Sequence, residues 1–122
     1  MVDLLKTQQW MIIAEFMDNH AEHYLQLGQF YEAKRDHFIA LMAESRFKLR
    51  PSAGTYFQLA DYSAISDMPD TEFTRWMTIE KGVAAIPVSV FYESPPEQQI
   101  IRFCFAKNSA TLEEAAEILC AI

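Results

Sequence analysis

One guanidinium stands out among the residues able to do chemistry. The stretch Ile100-Ile101-Arg102-Phe103-Cys104-Phe105 alternates as a strand does, so Ile101, Phe103 and Phe105 take one face and Ile100, Arg102 and Cys104 the other. A cation in the middle of so apolar a strand is costly to bury without an anion. The nearest acid in sequence is Glu97. Two readings are open. Either an acid of the chain, such as Asp61, satisfies Arg102, which is the commoner fate of a buried charge, or the side chain is kept for a carboxylate from outside. Arginine suits the second task, because its planar fork meets a carboxylate with two parallel hydrogen bonds.

The segment Gly82-Val83-Ala84-Ala85-Ile86-Pro87-Val88-Ser89-Val90-Phe91-Tyr92 is the second feature. It ends a strand at a proline and enters an aromatic loop, which either walls a pocket or simply covers the core with Phe91 and Tyr92. The remaining candidates carry less. His20 and His23 can meet on a helix, but two imidazoles without a third ligand do not hold a metal, and none is expected. His37, beside Asp36, is expected in solvent. Glu113, Glu114 and Glu117 read as a solvated helix face, and Cys104 and Cys120 as buried, inert thiols. The chain has no glycine-rich phosphate loop, serine elbow or nucleotide motif.

The elements that must position these groups follow from periodicity. Residues 4–19 predict a helix with a broad apolar surface, Leu5, Ile12 and Phe16 on one side and Trp10, Ile13 and Met17 on the next. Burial on more than one side is implied. A second helical region spans about residues 22–45, with Tyr24, Leu27, Tyr31, Phe38, Leu41 and Met42 at helical steps and a break or kink at Gly28. A weak strand at 46–49 precedes a β-rich stretch at 54–61, with Phe57 and Leu59 on one face. Asp70 is read as the N-cap of a helix presenting Phe73, Trp76 and Met77, which Gly82 ends. Residues 83–86 read as a short buried strand stopped by Pro87. After the Arg102 strand, Thr111-x-x-Glu114 reads as a capping box opening a helix that buries Leu112, Ala115, Ala116 and Leu119. The class is therefore α+β, a small mixed or antiparallel sheet with helices packed on one face. Its weakest joint lies near residues 19–22.

Composition bounds the function. The chain has 122 residues, 51% of them hydrophobic, enough for one folded core. A net charge of -7 with ten scattered basic residues argues against nucleic acid as a partner. The short apolar run near the start, interrupted by charges, is neither a signal peptide nor a membrane span. Two cysteines outside any disulfide framework fit a cytoplasmic protein.

Three stretches taken in order carry a resemblance. They are Pro51-Ser52-Ala53-Gly54-Thr55-Tyr56-Phe57 leading to Ala60-Asp61, then residues 82–92, then Ile101-Arg102-Phe103-Cys104-Phe105-Ala106-Lys107. Together they resemble the C-terminal small domain of the class I/II aminotransferases, pyridoxal-phosphate enzymes of fold type I. Tyr31-x-x-Lys34-Arg35-Asp36 resembles the long helix joining their two domains. Ile86-Pro87-Val88-Ser89-Val90-Phe91-Tyr92 with residues 101–105 is most similar to kynurenine aminotransferases (glutamine transaminase K) and bacterial methionine aminotransferases.

The resemblance implies that Arg102 binds the α-carboxylate of an amino-acid or 2-oxo-acid substrate, which reverses the preference for an internal ion pair. It implies that Ser89, Phe91 and Tyr92 line the pocket and that Gly54 and Tyr56 approach the substrate. A bulky Phe91 would favour apolar, aromatic or sulfur-containing substrates such as methionine, kynurenine or glutamine. It further implies pyridoxal 5'-phosphate in the parent, held by a lysine that is missing here. Lys6, Lys34, Lys48, Lys81 and Lys107 all lack the family's Ser-x-Ser-Lys context. The chain is thus expected to be a fragment that binds no cofactor and is inactive alone, from a homodimeric parent. Residues 1–20 would be a helix that packs on the large domain, and 21–122 the small domain proper. Without that cover, the Trp10 face is expected to self-associate or to be covered by another helix of the chain. The alternative is a stand-alone module that binds small carboxylates or a partner.

Overall fold

The structure, a computed structural model, describes residues 4–122. The start of the 1–20 segment, and the side chain of Leu5, lie outside the described residues. The chain forms two compact units, one up to Phe30 and one from Tyr31 onward.

In the first unit, α1 (Leu4–Asn19) and α2 (Ala21–Leu25) are separated by His20, whose φ of -132° and ψ of 44° leave the helical region. The next helix, α3 (Leu27–Leu41), starts after Gln26, so the expected break falls just ahead of Gly28. Tyr24 Oη donates to the Met17 carbonyl at 3.0 Å, tying the corner. The apolar surface of α1 is real and open: Trp10, Ile12, Ile13, Phe16 and Met17 are 44–69% exposed.

In the second unit, β1 (Lys48–Leu49), β2 (Phe57–Asp61), β3 (Ile86–Pro87) and β4 (Ile100–Cys104) form a four-stranded antiparallel sheet in the order β1-β2-β4-β3. The remainder of α3, α4 (Asp70–Trp76) and α5 (Ser109–Cys120) complete an α+β fold. Ile101 and Phe103 turn into the core, and the strand pattern expected around Arg102 holds residue by residue. The Phe38 and Phe47 rings meet Phe103 edge-on at 5.8 and 5.9 Å. Leu112, Ala116 and Leu119 close the core from α5, with Ala115 at its margin.

Strand β2 needs correction in emphasis. Phe57 and Leu59 do share a face, but the buried face carries Gln58 and Ala60, both fully inaccessible. Register explains this: Gln58 pairs with Phe103 and Ala60 with Ile101, whereas Leu59 lies opposite Arg102. Gln58 satisfies itself locally, donating to the carbonyls of Arg50 (2.6 Å) and Leu59 (2.9 Å) and accepting from the Ser52 amide (3.2 Å).

Four local expectations change. Asp70 is the first residue of α4, not its cap; the cap is Pro69, whose carbonyl accepts from Glu72 and Phe73. Thr111 likewise does not open α5: Asn108 Oδ1 caps it, accepting from the Thr111 amide at 2.8 Å. Beyond α4 the chain widens into a π turn at Met77–Lys81, and Gly82 ends it with φ 72°, as expected of a left-handed stop. The Val83 amide then reaches back to Met77, so the strand begins only at Ile86 and includes Pro87. An edge strand tolerates proline because its outer amide has no partner to lose. Finally, Cys120 is exposed and Cys104 half-buried rather than both buried.

Candidate functional site

The face of the sheet opposite the core positions Arg102. Leu59 on β2 and Ile86 on β3 lie directly opposite it in register, 49% and 38% exposed. Neither can neutralise a charge. The guanidinium carbon sits 3.9 Å from the centre of the Phe57 ring and 4.8 Å from that of Phe91. Two aromatic faces thus hold the planar group by cation–π attraction, which fixes its orientation. Its Nε is buried and has no hydrogen-bond partner. Among the described residues no carboxylate comes within ion-pairing distance of it.

Asp61, the internal acid considered from sequence, is committed elsewhere. Its carboxylate accepts from the Ser63 amide at 2.8 Å, and these hydrogen bonds to Ser63 hold its pKa below the ordinary carboxylate value. Among the described residues Arg102 therefore has no internal ion pair. A half-buried, oriented guanidinium of this kind can accept an anion, and its fork has the geometry to meet a carboxylate.

The loop carrying Phe91 is held by a contact that sequence reasoning missed. Asp70, only 6% exposed, accepts from the Ser89 amide (2.7 Å) and from Ser89 Oγ (2.6 Å). These bonds fasten the 3₁₀ turn Ser89–Phe91 to the start of α4. The Asp70 charge is felt nearby: burial, and then this carboxylate, push the Tyr62 hydroxyl up to about 12. Replacing Asp70 with asparagine keeps an acceptor but removes the charge-assisted pair, at about 1.5–3 kcal/mol. Amide hydrogen exchange at Ser89 should accelerate by at least about tenfold in this variant, while α5 amides keep their protection.

The other candidates are placed as follows. Ser89 Oγ is spent on Asp70. Phe91 and Tyr92 are 61% and 50% exposed on the same loop. Tyr56 is half exposed, its ring 4.6 Å from that of Phe57. Gly54 lies in the loop before β2, and a Cβ there would meet nothing within 4 Å. Arg102, Phe57 and Phe91 form one cluster, which Tyr56 borders. Phe57 was not singled out as a site residue; it pairs with Cys104, two positions along from the Leu59–Arg102 pair and on the same face. A cavity of about 430 Å³ lies beside β3, β4 and α5, lined by residues 82–86, Leu112, Ala115 and Ile118 and also by Arg102 itself. Phe57, Phe91 and Tyr92 do not line it, so the cavity and the aromatic clamp meet at Arg102. His37 is half-buried, its Nε2 3.7 Å from Glu113, rather than free in solvent.

The chain's residues do not fit pyridoxal phosphate. Lys6, Lys48, Lys81 and Lys107 are exposed. Lys34 Nζ donates to the Lys107 carbonyl at 2.6 Å, and Lys81 Nζ lies over the Trp76 ring at 5.4 Å. None of these amines is buried in a dry cradle of the kind a Schiff base needs. Among the described residues no helix is long and apolar enough to cross a membrane.

Comparison with known proteins bears on this geometry. The family model described as aminotransferase class I and II matches residues 6–119. The chain is 47% identical over 115 residues to a methionine aminotransferase of Escherichia coli, covering 94% of this chain and 30% of that protein. It is 35% identical over 135 residues to kynurenine–oxoglutarate transaminase 1 of Mus musculus, covering 93% of this chain and 32% of the relative. Among solved structures, YbdL of Escherichia coli, described with a methionine aminotransferase function, superposes with a TM-score of 0.86 at 48% identity, over 90% of this chain and 29% of its own. N-succinyldiaminopimelate aminotransferase of Mycobacterium tuberculosis gives 0.81 at 33% identity, over 89% and 29%. The chain thus spans about a third or less of the length of these relatives. All four are aminotransferases, which leaves the reading as a free-standing carboxylate-binding module without support.

Proposed function

The chain belongs to the class I and II aminotransferases, and on that premise we propose that it is the substrate-carboxylate half of such an enzyme's active site. The observation that carries this reading is the unpaired Arg102 guanidinium, clamped between Phe57 and Phe91 on the open face of the sheet. Arg102 binds the α-carboxylate of an amino acid or 2-oxo acid by two parallel hydrogen bonds. The aromatic rings fix the fork in advance, so little side-chain entropy is lost on binding. Phe91 and Tyr92 exclude water from the substrate side chain, and Tyr56 borders the same space. Ser89 acts at one remove, holding the loop through Asp70, and Gly54 leaves room beside Tyr56.

The rings favour large apolar, aromatic or sulfur-containing side chains. The names of the methionine and kynurenine relatives agree with that preference. The parent works with pyridoxal phosphate held by a segment outside this chain, as a homodimer in the cytoplasm. The test is reassembly. This chain mixed with a separately produced large domain should restore amino-acid to 2-oxo-acid turnover, and either part alone should show none. Failure of Arg102→Ala to reduce the restored rate would remove the reading.

The open face of α1 belongs to the same proposal. We read Trp10, Ile13 and Met17 as a surface that packs on the large domain. In the isolated chain it is expected to drive self-association, visible as a rise in weight-average mass with concentration in sedimentation equilibrium. Trp10→Glu should return the chain to a monomer. A strict monomer at every concentration would count against it.

A further inference from the structure

The corner between α1 and α2 gathers three side chains that the substrate site does not use. His20 Nδ1 lies 3.5 Å from Glu22 Oε1, and His23 Nε2 lies 3.7 Å from the same oxygen. The three ligand atoms all fall within 4.8 Å of one another. From sequence the two imidazoles lacked a third ligand; the fold supplies it by turning Glu22 between them. We propose that His20, Glu22 and His23 form a binding site for a first-row divalent cation of the zinc class, open to solvent on its remaining side.

Geometry is the first support. Ligands at about 2.0–2.2 Å from a tetrahedral zinc lie roughly 3.3–3.5 Å apart. The two distances to Glu22 are close to that edge length, and the edge between the imidazoles, at most 4.8 Å, closes by rotation of the exposed rings. Two imidazoles and one carboxylate are also the donor types that suit zinc, with water completing the shell.

The second support is preorganisation. The Phe16 ring lies against both imidazoles, at 5.3 Å from His20 and 5.5 Å from His23. The backbone is fixed at the same point: the His20 amide donates to the Phe16 carbonyl at 2.8 Å, and the His23 amide donates to the His20 carbonyl at 3.1 Å. His20 breaks the helix here, and that break brings its ring beside that of His23. All three side chains are exposed, so a cation needs no entry path. The chain's net charge of -7 favours cation approach. A bound cation would clamp the corner between the two helices. This inference does not rest on the aminotransferase reading.

Calorimetric titration of the untagged full chain with Zn²⁺ near neutral pH tests it, with Co²⁺ as a spectroscopic probe. One ion per chain is expected. His20→Ala, His23→Ala and Glu22→Gln should each weaken binding by at least about tenfold, and the Co²⁺ spectrum should lack a thiolate charge-transfer band. All three positions are exposed, so circular dichroism should show each variant folded like the parent. Absence of binding, unchanged affinity in the double variant His20→Ala/His23→Ala, or a thiolate band assigning the metal to Cys104 or Cys120 would each overturn the proposal.

Discussion

Arg102→Ala is expected to lower kcat/KM of the reassembled aminotransferase by about a hundredfold or more, since truncating one partner of a hydrogen-bonded charge pair costs roughly 2–5 kcal/mol. The reason lies in what surrounds the guanidinium. Leu59 and Ile86 flank it in register, and Phe57 and Phe91 cover its faces. Among the described residues no other cation lies over the Phe57 or Phe91 ring, so a substrate carboxylate brought there would lose its main partner. The contact is made both before and during reaction, so most of the loss should appear in KM. Arg102→Lys should fall between the two, because a point charge replaces a fork that makes two directed bonds.

The same substitution should barely change stability. Among the described residues Arg102 makes no ion pair, and its Nε is already without a partner. Losing the two ring contacts costs about 1 kcal/mol, which relief of a half-buried unpaired charge offsets. Steady-state kinetics and urea unfolding on one preparation therefore separate a binding role from a structural one. A large fall in unfolding midpoint with kcat/KM unchanged would assign Arg102 to the scaffold and end the proposal.

The orientation of Arg102 was legible because a strand has a period of two and the core needs one face only. Once Ile101, Phe103 and Phe105 are assigned inward, Arg102 must face out. What the pattern leaves open is where a polar group finds its partner. Asp70 has the residue type and position of a helix cap, yet its carboxylate reaches Ser89, nineteen positions along. Thr111 and Asn108 both suit an N-cap, and backbone geometry selects Asn108. Glu22 joins two histidines only because the helix breaks at His20. Each choice depends on tertiary placement, which local propensity does not encode.

Gln58 is the sharpest case, because hydrophobicity alone would put Phe57 and Leu59 inside and Gln58 outside. The opposite holds: Gln58 is fully buried. Its amide bridges Arg50 and Ser52 to β2, and the Ser52 carbonyl in turn accepts from Arg35 Nη1 at 2.7 Å. Gln58→Leu keeps roughly the volume but leaves the Arg50 carbonyl and the Ser52 amide without partners. Each orphaned buried group costs about 1–3 kcal/mol, and partial solvent access to that segment trims the sum. A net loss of about 2–3 kcal/mol is expected, a large share of a domain's usual 5–15 kcal/mol. It should appear as a lower urea midpoint at constant m-value. Gln58→Glu should cost more still, because a buried carboxylate cannot donate to the carbonyls of Arg50 and Leu59 and carries its own desolvation penalty. Phe57 and Leu59 sit on either side of Gln58 and border Arg102, so loosening this tie should also weaken substrate binding. A Gln58→Leu midpoint within about 0.5 kcal/mol of the parent, the usual range for a surface substitution, would mean that water replaces the amide.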